Sequence, residues 1–174
     1  MAGYTVRLLG QDETDLFRRI RLEGLRREPA AFASSAADWE QLHDDEWRRR
    51  LTVGPVVAAL RSGEPVGLMG LLPERGRRTA HRATLVMVYV RREERGAGLA
   101  DRMLATLLAA AATIGLRQIE LHVSAENPAA LGFYRRAGFA EAGRLPAGFV
   151  HEGREVEEIL MVRRLAAVNA PRGR

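Results

Sequence analysis

The sequence predicts a mixed α/β fold in one domain, and three observations predict it. The chain of 174 residues has the length of one ordinary domain, and 47% apolar residues suffice to bury a core. Strand-period and helix-period segments follow one another in the order β-α-α-β-β-β-α-β-α-β-β. No repeat, low-complexity stretch or linker divides them. Residues 1–168 are therefore expected as the domain and 169–174 as a flexible tail.

Tyr4 to Leu9 alternates as a first strand, and Asp12 reads as the N-cap of a helix reaching about Arg27. Leu16, Phe17, Ile20 and Leu25 mark that helix's inner side, and Pro29 stops it. A loop follows with Phe32 as its apolar anchor, then one or two short helices over roughly Ala36 to Leu51, with Trp39 and Trp47 among the apolar positions. Val56 to Leu60 and Val66 to Leu72 are strand-like and separated by a hairpin turn, Arg-Ser-Gly-Glu-Pro. Ala83 to Val90 is a strand rich in β-branched residues. A helix from about Gly98 to Ile114 ends at Gly115, a natural C′ residue. Ile119 to Val123 is a strand. Pro128 to Ala137 is a helix, opened by Asn127 as N-cap and closed by Gly138. Phe139 to Leu165 reads as two strands around His151-Glu-Gly-Arg154.

What is missing narrows the chemistry. No cysteine is present, which removes disulfides, thiolate nucleophiles and cysteine zinc sites, and no metal is expected. Lysine is absent too, so Schiff-base chemistry and a lysine-dependent phosphate loop are unavailable. All 27 basic residues are arginine against 22 acids, a net charge of +5. That surplus suits an anionic ligand, because guanidinium reads phosphate through two parallel hydrogen bonds. No apolar run approaches the roughly 20 residues that cross a bilayer. Asp12, Glu13 and Asp15 stand where a signal peptide needs apolar residues, so a cytoplasmic location is expected, with no membrane partner.

The strand ending at Val90 leads into Arg95-Gly-Ala-Gly98-Leu-Ala100 at a helix start. The first N–H groups of a helix lack internal partners, and its dipole adds partial positive charge. Gly96 and Gly98 let a phosphate approach the backbone, and Ala97 and Ala100 keep the approach clear. A dinucleotide fingerprint would need a third glycine after a first strand, which is absent. An ordinary strand-to-helix connection with two turn glycines remains the competing reading at this point.

A second constellation follows, with Asn127, Ala130, Tyr134, Gly138 and Phe139. Together with Arg95-Gly-Ala-Gly98-Leu-Ala100, in this order and separation, it resembles the two signatures of the Gcn5-related N-acetyltransferase (GNAT) superfamily. The stretches Arg21 to Ser35 and Gly153 to Met161 are similar to the opening and closing of one bacterial subgroup, although Glu155 and Glu157 stand where that subgroup often has an aromatic residue and an aspartate. His81 matches a frequent subgroup histidine and is read as a rim residue. The resemblance implies a mixed, mostly antiparallel sheet of six to seven strands with flanking helices, splayed between strands 4 and 5. It implies acetyl transfer from acetyl-CoA to a primary amine, on a small molecule or a peptide N-terminus, by direct attack in a ternary complex.

By that resemblance, main-chain groups of Val88, Tyr89 and Val90 pair with the pantetheine arm. The N–H groups of Gly96, Ala97, Gly98, Leu99 and Ala100 hold the pyrophosphate, with charge from Arg95 and from Arg91 or Arg136. Asn127 lies beside the cofactor as well as capping its helix. Tyr134 takes the place of the general acid that protonates the departing thiolate, and a backbone N–H near Val88 polarises the thioester carbonyl. Strand 4 holds no carboxylate, so the base falls to His122 or to a water. Some family members carry a glutamate at that place, and histidine, ordinarily titrating near about 6.5, suits a proton relay. Alternation puts Glu120 on the same face, where it would favour the imidazolium. Phe32, Glu120 and Glu155 are the acceptor-side candidates, and amino acid, peptide, polyamine and aminoglycoside acceptors all stay open.

Two other readings carry less. A cofactor-binding protein without catalysis would not need Tyr134. A basic nucleic-acid module would rest on Arg48-Arg-Arg50, Arg77-Arg78 and Arg163-Arg164, short clusters without interleaved aromatic residues. A homodimer is compatible with the sequence.

Overall fold

A computed structural model describes residues 3–166; the tail assigned to 169–174 lies outside them. The elements run β1 (Tyr4–Leu8), α1 (Thr14–Arg27), α2 (Ala36–Glu40), α3 (Asp44–Val53), β2 (Val56–Arg61), β3 (Glu64–Pro73), β4 (Arg82–Val90), α4 (Leu99–Thr113), β5 (Gln118–Ser124), α5 (Pro128–Arg136), β6 (Ala140–His151) and β7 (Arg154–Arg164). They form one seven-stranded sheet in the order β1-β2-β3-β4-β5-β7-β6. Every pairing is antiparallel except β4 with β5. The expected mixed, mostly antiparallel sheet with flanking helices is therefore observed.

Strand alternation sorts the core into two layers. Val57, Ala59, Leu85, Ile119, Leu121 and Ile159 pack with Met103 and Leu107 of α4 and with Leu131 and Tyr134 of α5. Val56, Ala58, Leu60 and Leu68 pack on the other face with Phe17, Ile20 and Leu25 of α1 and with Trp39 and Trp47. Phe17, Trp39 and Trp47 meet edge to face, with centroids 5.2 to 6.3 Å apart. Such contacts favour one arrangement of the short helices over many greasy ones.

Turn chemistry matches the sequence closely. Ser62 and Gly63 both take positive φ, 52° and 85°, as do Glu152 and Gly153, 51° and 76°. Two consecutive left-handed residues make the type I′ turn whose twist suits a hairpin. The start of α1 differs from expectation: Glu13, not Asp12, precedes the helix. Its carboxylate accepts from Arg7 at 2.6 and 2.7 Å and from the Gly10 N–H at 2.8 Å.

The Arg7 guanidinium, aided by that N–H, holds the Glu13 carboxyl down at about 2. A carboxyl depressed in the fold stabilises it above the unfolded value and loses that contribution as pH falls through the folded one. Glu13→Gln is expected to lower the melting temperature at pH 7 by about 2–4 °C, roughly 1 kcal/mol for a pair open to solvent on one side. The difference should shrink steadily as melts are repeated from about pH 4.5 down towards pH 2.

Candidate active site

β4 and β5 pair through only three positions, Arg82↔Gln118, Ala83↔Ile119 and Thr84↔Glu120. Beyond Glu120, among the described residues, β5 pairs with β7 alone, and β4 continues on β3 alone. The two parallel strands thus part into a gap. Leu85 to Val90 form one wall and Leu121 to Ser124 the other, each presenting strand-edge N–H and C=O groups. Open edges of this kind accept an extended chain as an added strand.

A bulge bends the first wall. Leu68 pairs with Tyr89 and Gly70 with Val86, so β4 holds one residue more than β3 across this step. Met87 sits there at φ 59°. A one-residue insertion reverses side-chain parity. Ala83 and Leu85 face α4, and after the bulge Val88 and Val90 face it instead, while Met87 and Tyr89 turn towards α1. Tyr89 is buried and donates to Glu23 at 3.0 Å; burial and that carboxylate raise its hydroxyl to about 12.

At the mouth of the gap lies the glycine loop. A single 3₁₀ turn, Arg92–Glu94, precedes it, anchored by buried Glu94, which accepts from Tyr4 and, at 2.9 Å, from Arg61. Gly96 and Gly98 adopt φ 85° and 70°, and a Cβ at either would meet nothing within 4 Å. Among the described residues the N–H groups of Gly96, Ala97 and Gly98 make no backbone hydrogen bond, and α4 begins without a side-chain cap. Alternating left-handed residues turn successive N–H groups into one concavity, an arrangement that binds anions. Space, orphan donors and the helix dipole all fit a pyrophosphate.

Two of the three arginines expected at the phosphates are otherwise engaged. Arg95 donates to the Val90 carbonyl at 2.9 Å and to Glu28 at 2.7 Å, so it braces the loop from behind. Arg91 forks onto Glu23 at 2.7 Å twice. Arg136 is exposed and has no ion pair among the described residues. Asn127 caps α5, accepting from the Ala130 N–H at 3.0 Å. A surface depression of about 450 Å³ lies on the outer side of α1; its arginines are largely matched, Arg19 with Glu64 and Arg91 with Glu23.

Tyr134 lies on the inner face of α5, 6% exposed, with Phe139 edge-on at 5.8 Å. Burial alone pushes its phenol up, so it stays a neutral O–H donor across the physiological range. His122 points to the opposite face of the sheet, one same-face position past the last β4–β5 pair, and is exposed. Glu120, expected on the same face beside it, is forked onto Arg82 at 2.7 and 2.9 Å. Glu155 is exposed near the β6–β7 turn and, by alternation, on the other face from His122.

Two residues escaped the sequence reading. Glu158 faces His122 from β7, its Oε2 3.9 Å from Nδ1, and is largely buried against Gly148. A Cβ at Gly148 would come within 2.5 Å of the Glu158 Cγ, so only glycine admits the carboxylate there. Arg21 is the second: its guanidinium lies 4.9 Å from the Phe32 ring centroid and 4.2 Å from that of Trp39. Burial and then the nearby Arg50 push its pKa down to about 9, leaving it a cation at neutral pH. Strand pairing was the signal needed for Glu158. For Arg21, its place four residues after Phe17 on the inward helix face was legible.

Among the described residues no three His, Asp or Glu side chains converge as a metal would require, and no helix is long and apolar enough to cross a membrane. The basic cluster Arg48-Arg-Arg50 faces carboxylates of its own helix, Asp45 and Glu46.

Comparison with known proteins bears on the gap and the loop together. The sequence profile of the Acetyltransferase (GNAT) family matches residues 20–139. Phosphinothricin N-acetyltransferase of Alcaligenes faecalis is 31% identical over 170 residues, covering 94% of this chain and 83% of that protein. A GNAT-family acetyltransferase from Streptococcus pneumoniae superposes with a TM-score of 0.82 at 19% identity, over 94% of this chain and 99% of its own. The yncA protein of Salmonella typhimurium, solved with acetyl-CoA, superposes at 0.80 with 19% identity, over 97% and 98%.

Proposed function

The chain belongs to the acetyltransferase (GNAT) family, and we propose that it moves the acetyl group of acetyl-CoA to the primary amine of a small molecule by direct attack in a ternary complex. The observation that carries this reading is the parted β4–β5 pair opening onto unpartnered loop amides. Acetyl-CoA, the co-substrate, supplies an activated acyl group. The amides of residues 96 to 100 hold its pyrophosphate, and the edges of Val88 to Val90 align its arm. Arg95 serves indirectly, by holding the loop on the Val90 carbonyl and Glu28.

Acyl transfer to an amine needs three contributions from the protein. An ammonium has no lone pair, so a base must take its proton. His122 stands at the lip of the gap for this, and Glu158 can accept its Nδ1–H after a small closing movement from 3.9 Å, leaving Nε2 free. The carbonyl oxygen gathers negative charge, and a fixed N–H of the bulged strand answers it without reorganising. The thiolate then leaves and takes a proton from Tyr134, whose burial keeps that proton in place.

Release of free thiol from acetyl-CoA across a panel of amines tests the activity itself. With an accepted amine, His122→Ala should lower kcat by about 10²-fold and abolish the acidic limb of the pH–rate profile. Glu158→Gln should cause a smaller loss and no further loss in the His122→Ala background. An unchanged profile in His122→Ala transfers the base role to water.

A further inference from the structure

Two charged side chains are buried among the described residues, Glu94 and Arg21, and the protein treats them oppositely. Glu94 is met by the Tyr4 hydroxyl and the Arg61 guanidinium. Arg21, only 4% exposed, makes no hydrogen bond or ion pair among the described residues, and its Nε is sealed from solvent without an acceptor there. Arg50 adds a second guanidinium 4.2 Å from the Trp39 ring centroid, the ring against which Arg21 also lies. Cation–aromatic contact offsets part of the cost, but an unpaired buried charge beside a like charge remains unfavourable.

We infer that Arg21 is the anchor for the carboxylate of the acceptor, and that the acceptor is therefore an amino acid with a free carboxyl group rather than a polyamine. This rests on the acetyltransferase reading above. The place suits the task. Gly24, one turn along α1, lies against the Tyr89 ring of β4, and Phe32 shares a packed cluster with Met87 of the bulge. The anchor thus adjoins the wall of the gap, on the sheet face where His122 and Glu158 stand. Two aromatic rings against a guanidinium do not use its N–H donors, and a planar, two-oxygen anion is the partner those donors satisfy with paired hydrogen bonds. A polyamine would bring positive charge to Arg21 and Arg50 and be repelled.

The test runs L-amino acids and phosphinothricin, each beside its own α-carboxamide, with spermidine as a further acceptor. At least one free acid should exceed its amide in kcat/KM by about tenfold or more, as one bidentate charged pair allows. Arg21→Met, similar in length and uncharged, should collapse that preference towards one, chiefly through KM. Equal use of acid and amide, preference for spermidine, or a preference that survives Arg21→Met overturns the inference. A binding readout guards against a variant that does not fold: titrating the wild-type protein with glutarate should change tryptophan emission through Trp39. Loss of turnover with that signal intact faults the acetyl-transfer reading alone, and a flat titration faults the anchor.

Discussion

Tyr134→Phe is expected to cut kcat by about 10²-fold or more while the KM for acetyl-CoA moves by less than about threefold. The phenol ring packs in the apolar layer between α5 and the sheet, so phenylalanine preserves the packing and removes only the hydroxyl. An interaction needed in the transition state but not for binding lowers kcat and kcat/KM together. Burial raises the Tyr134 pKa above its ordinary value of 10, so the wild-type alkaline limb below about pH 10 must belong to another group. The variant should keep the shape of that limb and lose height throughout. A kcat within twofold or so of wild type would return Tyr134 to a packing residue and give the thiolate's proton to water.

Gly98→Asp should raise the dissociation constant of coenzyme A by about 50-fold, some 2.3 kcal/mol. Gly98 sits at φ 70° immediately before α4, in open space. Aspartate and asparagine tolerate left-handed backbone better than other side chains, so the loop should still form, with melting within about 3 °C of wild type. The carboxylate would bring negative charge to the orphan N–H groups at the helix start, where an anion must bind. Gly98→Asn, matched in shape but neutral, should lose no more than about tenfold by calorimetry. Equal losses would assign the effect to bulk rather than charge; no loss in either variant would remove the loop from the binding site.

Much of the fold was legible because its signals are local. The Ser62-Gly63 and Glu152-Gly153 turns, the Asn127 cap and the Gly115 and Gly138 stops each depend on residues a few positions apart. The parting of β4 from β5 came with the two motif segments, whose spacing resembles a family built that way. Glu120 reads differently once Arg82 is beside it, since residues 38 apart meet only through the parallel register. Arg95 likewise matches its motif yet points to Glu28, 67 residues away.

The sequence by itself determined the order of elements, the loop that suits a pyrophosphate, and the family to which the two motif segments point. Tertiary structure alone decided the β4 bulge at Met87, the meeting of Glu158 with His122 over Gly148, and the isolation of Arg21 among rings and a second arginine. The reason is physical: backbone turns and caps are set by neighbours in the chain, whereas strand register and burial emerge from many weak long-range contacts at once. One inserted residue in β4 reverses every side chain after it, and no periodicity within a nine-residue strand could announce that.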